Sequence, residues 1–249
     1  MIPRYYIVAE RDHEIQNPTS EEKLLLLGER LRLGPSSRVL DIASGRGGPA
    51  LALAKAFGCR LDGIEIAPEF HAAAVERAES RGLEQLVSFR LGDASREELP
   101  REEYDAALCL GASFVYGSLA DTVEALAPAV RPRGHVVVGE PFWRCLPLPD
   151  DYDDRGDPWT TLEDTVTIFE TSGLPVVSVI ASSEDDWDRY ETLHWRAVEE
   201  WLVANPDDPD SGDIRTRHER HKHTYLRYGR ECLGWAIFVG WKPKPDGVP

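Results

Sequence analysis

A chain of 249 residues with 42% hydrophobic content can bury a sizeable core, and the length fits one α/β domain better than two small ones. A formal net charge of −16 works against wrapping a phosphate backbone, which depends on Lys and Arg displacing counterions, so no nucleic-acid partner is expected. No run approaches the roughly 18 apolar residues of a membrane span. The opening MIPRYYIVAERDHE is too charged for a signal peptide, so a cytoplasmic protein with no membrane partner is expected.

The first 33 residues read as an amino-terminal helical segment. Tyr5 and Tyr6 open it, and a helix over 21–31 follows, with Thr19 and Glu22 at capping-box spacing and Leu24, Leu27 and Leu31 on its apolar face. Short apolar runs near 38–42, 61–66, 86–91, 105–110, 135–139, 175–181 and 235–241 read as seven strands. Helical patterns lie between them over 49–57, 69–81 with Gly82 as stop, 119–130, and 162–171 after the cap candidate Thr161. Such alternation predicts a doubly wound, mostly parallel sheet.

The alternation breaks after residue 182. Residues 184–231 hold helix-like segments at 187–203 and 214–230, separated by the acidic NPDDPDSGD, and read as a helical insertion before the last strand. If the strand at 175–181 is parallel to its predecessors, it ends on the carboxyl edge of the sheet, where open α/β sheets bind ligands. The insertion would then cap the site, and a long loop over 143–160 leaves the same edge.

No metal site is expected. Cys59, Cys109, Cys145 and Cys232 are scattered without a CxxC pair and read as reduced structural thiols. His218, His221 and His223 do not fall on one helical face, so they read as part of a solvated basic face over 215–230.

The most informative stretch is VLDIASGRGGPA, residues 39–50: a buried strand, a glycine-rich turn and a helix start. Gly45 and Gly47 allow close backbone approach to a ligand, and Pro49 suits a first helical turn. Asp41 at the strand end disfavours a pyrophosphate, so a cationic or neutral ligand group is expected there. GRGGPA also fits the loose dinucleotide pattern, with Glu65 about 20 residues on, which keeps a nicotinamide cofactor open at this point.

Taken with LGDA at 91–94 and the terminal strand GWAIFVGWK, the chain resembles the class I S-adenosylmethionine-dependent methyltransferases. The resemblance covers residues 19–182 and, less fully, the final strand. It implies a Rossmann-like seven-stranded sheet with an antiparallel last strand, a single methyltransferase domain over 1–249, and S-adenosyl-L-methionine as cofactor. In the family an acid and G-x-G-x-G follow the first strand; here these are Asp41, Ala43, Gly45 and Gly47, with Ala43 replacing the first glycine. The resemblance assigns Glu65, with neighbouring Ile66, to the ribose hydroxyls. It assigns Asp93 and Ala94 to the adenine, and Leu110, at the end of YDAALCLGAS, to the methionine side.

Methyl transfer from a sulfonium is an in-line displacement with an activated electrophile, so positioning and water exclusion carry much of it. A base is needed only where the acceptor arrives protonated, and the candidates are Glu140 in GEPFW and His194 in the insertion. Each has a plainer alternative, Glu140 as a partner of loop backbone and His194 as a packing histidine. Tyr6, Phe114, Tyr116, Trp143 and Tyr190 are the candidate substrate-binding aromatics. With Glu140 they suggest a small, partly apolar acceptor, and an amine held by cation–π attraction is one form of it.

Related families match only in part, and the segment resembles the small-molecule methyltransferases that act on sterols, quinones or amines. The cysteine set of arsenite methyltransferases and the N/D-P-P-Y/F tetrad of nucleic-acid and protein methyltransferases are absent, the latter position reading Gly111-Ala112-Ser113-Phe114. The expected function is methyl transfer to a small-molecule O, N or S acceptor, with a homo-oligomer left open. The alternatives are an NAD(P)-dependent oxidoreductase and a non-catalytic S-adenosylmethionine-binding regulatory protein.

Overall fold

Near-continuous apolar runs belong in strands, and the computed structural model, which describes residues 2–152 and 159–244, places them in strands. Seven strands form one sheet: β1 (Arg38–Ile42), β2 (Arg60–Glu65), β3 (Val87–Leu91), β4 (Tyr104–Leu110), β5 (Val130–Trp143), β6 (Val176–Ala181) and β7 (Leu233–Trp241). Their order is β3-β2-β1-β4-β5-β7-β6. β7 is antiparallel to both neighbours, while the pairs among β1 to β5 are parallel. β6 therefore runs with the parallel set. This is the Rossmann-like sheet that the resemblance implies, and the carboxyl ends of β1 to β5 meet along one edge.

The helices are α1 (Arg4–Ala9), α2 (Glu21–Arg30), α3 (Gly48–Phe57), α4 (Pro68–Ser80), α5 (Leu119–Leu126), α6 (Leu162–Thr171), α7 (Glu184–Ala204) and α8 (Ser211–Thr224). Leu24, Leu27, Leu51, Leu53, Leu61 and Leu108 fill one face of the sheet, and Leu40, Ile42, Val123, Leu126, Val138 and Phe238 fill the other. A separate cluster of Tyr5, Val8 and Ala9 with Val198, Leu202 and Ile214 joins α1 to α7 and α8.

Four local expectations are corrected by tertiary contacts. The cap of α2 is Ser20, whose side chain accepts from the Lys23 amide, and not Thr19, which is buried with its carbonyl held by Arg189. The helix expected over 119–130 stops at Leu126, because Pro128 turns the chain into a 3-10 turn before β5. β5 runs well past residue 139, since residues 135 to 143 pair with β7 along their whole length. The stretch at 214–230 is no uniform solvated face: α8 ends at Thr224 in a π turn, and Ile214, His218 and Tyr225 are buried.

The loop expected over 143–160 lies partly outside the described residues. Among those described, no helix is long and apolar enough to cross a membrane.

Trp235 on β7 is 2% exposed, and its ring occupies the space above Gly139 of β5, where an added Cβ would lie 2.7 Å from Cη2. Trp235→Ala is expected to destabilise the fold by about 3–5 kcal/mol, the cost of an unfilled large cavity. Urea unfolding should show a lower midpoint with an unchanged slope.

Candidate functional site

Beyond β1 the backbone enters the left-handed region at every second residue: Ala43 has φ 54°, Gly45 56° and Gly47 82°. Glycine adopts these angles freely, whereas an L-residue such as Ala43 pays about 1–2 kcal/mol. Ala43 thus departs from the family pattern in backbone strain as well as in width. Gly47 caps α3, and a Cβ there would lie 2.7 Å from the Phe89 ring.

A segment without helical or strand periodicity lies over this loop. A Cβ on Gly45 would collide with the Gln16 amide oxygen, and one on Gly111, at φ 74°, with Asn17. The Arg46 amide donates to Gln16 Oε1 at 2.6 Å. Gln16 and Asn17 were not legible as site residues. The only sequence signal was a polar, turn-rich QNPTS ahead of α2.

Three acids line the carboxyl edge. Asp41 is buried, its Oδ2 has no hydrogen-bond partner among the described residues, and burial, helped by the nearby Glu65 charge, pushes its carboxyl up to about 7. Glu65 is also buried and accepts from two backbone amides, Gly45 N–H on Oε2 and Ala67 N–H on Oε1, both at 2.8 Å. Burial raises its pKa, and those amides partly restrain it. Asp93 accepts from the Ser95 hydroxyl at 2.6 Å and amide at 3.1 Å and pairs with Arg96 at 3.0 Å. The Ser95 hydroxyl leads in holding it below the ordinary carboxylate range.

Ile66 follows Glu65 and is 47% exposed, an apolar side chain at the ligand edge, while Ala94 and Leu110 are buried. The donor set fits S-adenosylmethionine. A carboxylate has about four acceptor positions, so Glu65 retains capacity for a ribose diol after its two amides. The orphaned Asp41 Oδ2 and Ser44 Oγ, beside a loop with three left-handed positions, are polar groups awaiting a partner.

Glu140 sits on β5 opposite Ala236, buried, and its Oε1 accepts from the Ser113 hydroxyl at 2.9 Å. Burial pushes its carboxyl up to about 7, with Ser113 pulling the other way. Ser113 lies in the turn after β4, where its carbonyl is held by Thr122 at 3.0 Å. The same turn carries Phe114, largely exposed, and Tyr116, whose buried hydroxyl has no partner among the described residues. The turn after β4 thus brings Ser113 to Glu140 and carries Phe114 and Tyr116 one and three residues further on.

The other aromatics go elsewhere. Trp143 packs edge-on against Tyr152 and Trp159, at 5.5 and 5.3 Å between ring centroids. Tyr6 lies against Tyr5, with the Arg217 guanidinium 4.8 Å from its ring, in the contact between α1 and α8. Tyr190 and His194, both on α7, bond to Glu10: the Tyr190 hydroxyl donates to Oε1 at 3.0 Å and His194 Nε2 lies 2.8 Å from the same atom. Burial opposes charge on His194, but the Glu10 hydrogen bond and charge outweigh it and raise its pKa. His194 is therefore engaged from the amino-terminal side, and no hydrogen bond joins it to Glu140 among the described residues.

Asp41 offers a direct test of the electrostatics. Its folded pKa of about 7 exceeds the ordinary 3.8, so between those values the folded state holds the extra proton. Its contribution to stability is then present at low pH and lost as pH rises through about 7. Asp41→Asn is expected to stabilise the ligand-free protein by about 4 kcal/mol near pH 8, with the gain fading toward about pH 4. Urea unfolding at the two pH values measures it, and an equal effect at both would remove burial as the cause.

Comparison with known proteins adds the following. The profile of a family described as a methyltransferase domain matches residues 39–134. At 36% identity over 243 residues the chain is similar to the uncharacterized protein YjhP of Escherichia coli, covering 96% of this chain and 98% of YjhP. It is 25% identical over 234 residues to the glycine/sarcosine/dimethylglycine N-methyltransferase of Actinopolyspora halophila, covering 88% of this chain and 39% of that relative. The crystal structure of a SAM-dependent methyltransferase from Geobacter sulfurreducens in complex with S-adenosyl-L-homocysteine matches with a TM-score of 0.90 at 36% identity, covering 98% of this chain and 99% of that one.

Proposed function

The chain belongs to the class I S-adenosylmethionine-dependent methyltransferases, and we propose that it methylates a small-molecule O, N or S acceptor, with an amine as the class its site favours. Family membership sets aside the nicotinamide-dependent and non-catalytic alternatives. When bound, S-adenosylmethionine supplies the methyl group on a sulfonium, an electrophile that needs no further activation.

The observation that carries the amine reading is Glu140. It is a buried carboxyl on β5, just past the last residue of that strand paired with β4, brought up to about 7, whose described hydrogen-bond partner is the Ser113 hydroxyl. A carboxyl with that affinity is partly ionised near neutrality, so it can attract an ammonium and then take its proton to free the lone pair. Ser113 fixes the orientation of Oε1. Phe114 and Tyr116 offer aromatic faces in the same turn, which suits a cation with apolar substituents. The amine-methylating relative from Actinopolyspora halophila supports this class.

In this proposal Asp41, Ala43, Gly45, Gly47, Glu65, Ile66, Asp93, Ala94 and Leu110 hold the cofactor. Gln16 and Asn17 join them, because they close on the loop and on Gly111. Residues 1–33 and the helical insertion over 184–231 exclude water, which in-line transfer needs more than it needs acid–base help.

Two measurements test the proposal. S-adenosyl-L-homocysteine at a hundred times its Kd should add about 2.7 kcal/mol to stability, while NAD adds none; a response to NAD alone would overturn the cofactor assignment. Glu140→Gln should lower turnover of amines about 100-fold, with the pH dependence near neutrality lost. The assay is a panel of primary and secondary amines, phenols and thiols. Undiminished amine turnover in the variant removes Glu140 from the chemistry, and methylation confined to phenols or thiols replaces the amine class.

A further inference from the structure

Glu10, His13 and His194 offer one ligand atom each, and these atoms all lie within 4.8 Å of one another. Glu10 follows the last turn of α1, His13 lies three residues on, and His194 projects from the middle of α7. Glu10 and His13 are buried, and the His194 side chain is 12% exposed. None of these groups has a place in the chemistry assigned to Glu140.

The hydrogen bonding within the cluster does not close. His13 Nε2 lies 2.9 Å from the Tyr190 carbonyl oxygen, which can only accept, so Nε2 carries the ring proton. His13 Nδ1 is then a bare lone pair in the neutral ring. It faces Glu10 Oε2 at 3.6 Å, beyond a hydrogen bond, and neither atom has a hydrogen-bond partner among the described residues. Two acceptors facing each other in a buried site repel unless something positive lies between them. His194 Nε2 approaches the other carboxylate oxygen at 2.8 Å.

We propose that Glu10, His13 and His194 bind a divalent transition-metal ion through Glu10 carboxylate oxygen, His13 Nδ1 and His194 Nε2. Two imidazoles and one carboxylate form a donor set that zinc uses with a further position left open. Tetrahedral bonds of about 2.0–2.2 Å put ligand atoms roughly 3.3–3.5 Å apart, so only small side-chain movements are required. The surroundings have the form metal sites need. The Tyr190 carbonyl orients the His13 ring, the Tyr190 hydroxyl donates to Glu10 Oε1 at 3.0 Å, and Arg77 donates to the His13 carbonyl at 3.3 Å. A crevice of about 530 Å³ between the amino-terminal segment, α3 and α7 has His13 and Tyr190 in its lining and gives an entry path.

The ion would tie the amino-terminal segment to α7. Three and four residues beyond His13, Gln16 and Asn17 press on Gly45 and Gly111, so the tie would also hold the cover of the glycine loop in place. The assignment stands apart from the identity of the methyl acceptor.

The test uses tag-free full-length protein freed of metal by chelator and titrated with zinc(II) against a chromophoric competitor. One equivalent is expected to bind, raising Tm, and cobalt(II) should give the visible absorption of a four- or five-coordinate site. Glu10→Gln and His13→Gln should each weaken zinc affinity at least tenfold. The double variant His218→Gln/His223→Gln, away from the cluster on α8, should bind normally. Failure to take up one equivalent overturns the proposal, as does uptake that survives both Glu10→Gln and His13→Gln. Should those variants not fold, X-ray absorption on the zinc-loaded wild type reads the ligands directly: two imidazoles with oxygen support the site, and sulfur or all-oxygen coordination overturns it. None of these readouts requires methyl transfer, so their failure leaves the function proposed for Glu140 untouched.

Discussion

One buried carboxylate organises the ligand edge. Glu65 accepts the Gly45 amide on one oxygen and the Ala67 amide on the other, joining the loop after β1 to the turn after β2. Those turns are the mouths of neighbouring parallel strands, so their separation sets the width of the cleft. Hydrogen bonds from amides to an ionised group are among the stronger ones, and burial leaves no water to replace them. With the loop held there, Gly47 can lie against the Phe89 ring, and Gly45 can accept Gln16 above it. The strain of Ala43 at φ 54° is carried by the same arrangement.

Acidic groups at this edge differ in state because their surroundings differ. Asp41 and Glu140 are both buried with little hydrogen-bonding support, and each is brought up to about 7. Asp93 is half-buried and bonded by Ser95 and Arg96, and its pKa is lowered. A net charge of −16 therefore says little about charge at the site near neutrality. Burial decides that, through the cost of ionising a carboxyl away from water.

Much of the architecture was legible because strand and helix periodicities are local. The apolar runs at β1 to β4, the break after residue 182 and the two helices of the insertion all follow from side-chain alternation and composition. Asp41, Glu65 and Asp93 were legible as a set for a related reason: each lies within two residues of a strand's carboxyl end, and parallel strands bring those ends to one edge. The misplaced elements failed where a distant partner decided. β5 is long because β7 pairs with it through Trp143, and Thr19 lost the cap to Ser20 while its carbonyl went to Arg189 on α7.

The sheet, the glycine loop and the family were readable along the chain, since these rest on spacing between residues. The sequence put Glu140 at the end of the fifth strand, whereas pairing with β7 carries that strand on to Trp143. Only the tertiary structure decided what the remaining polar side chains face. Tyr190 and His194 turn toward Glu10 and His13, Ser113 reaches across to Glu140, and Gln16 and Asn17 settle on the loops. These contacts join residues up to 184 positions apart. A buried polar group must find a partner wherever the packed chain supplies one, and no local pattern records where that is.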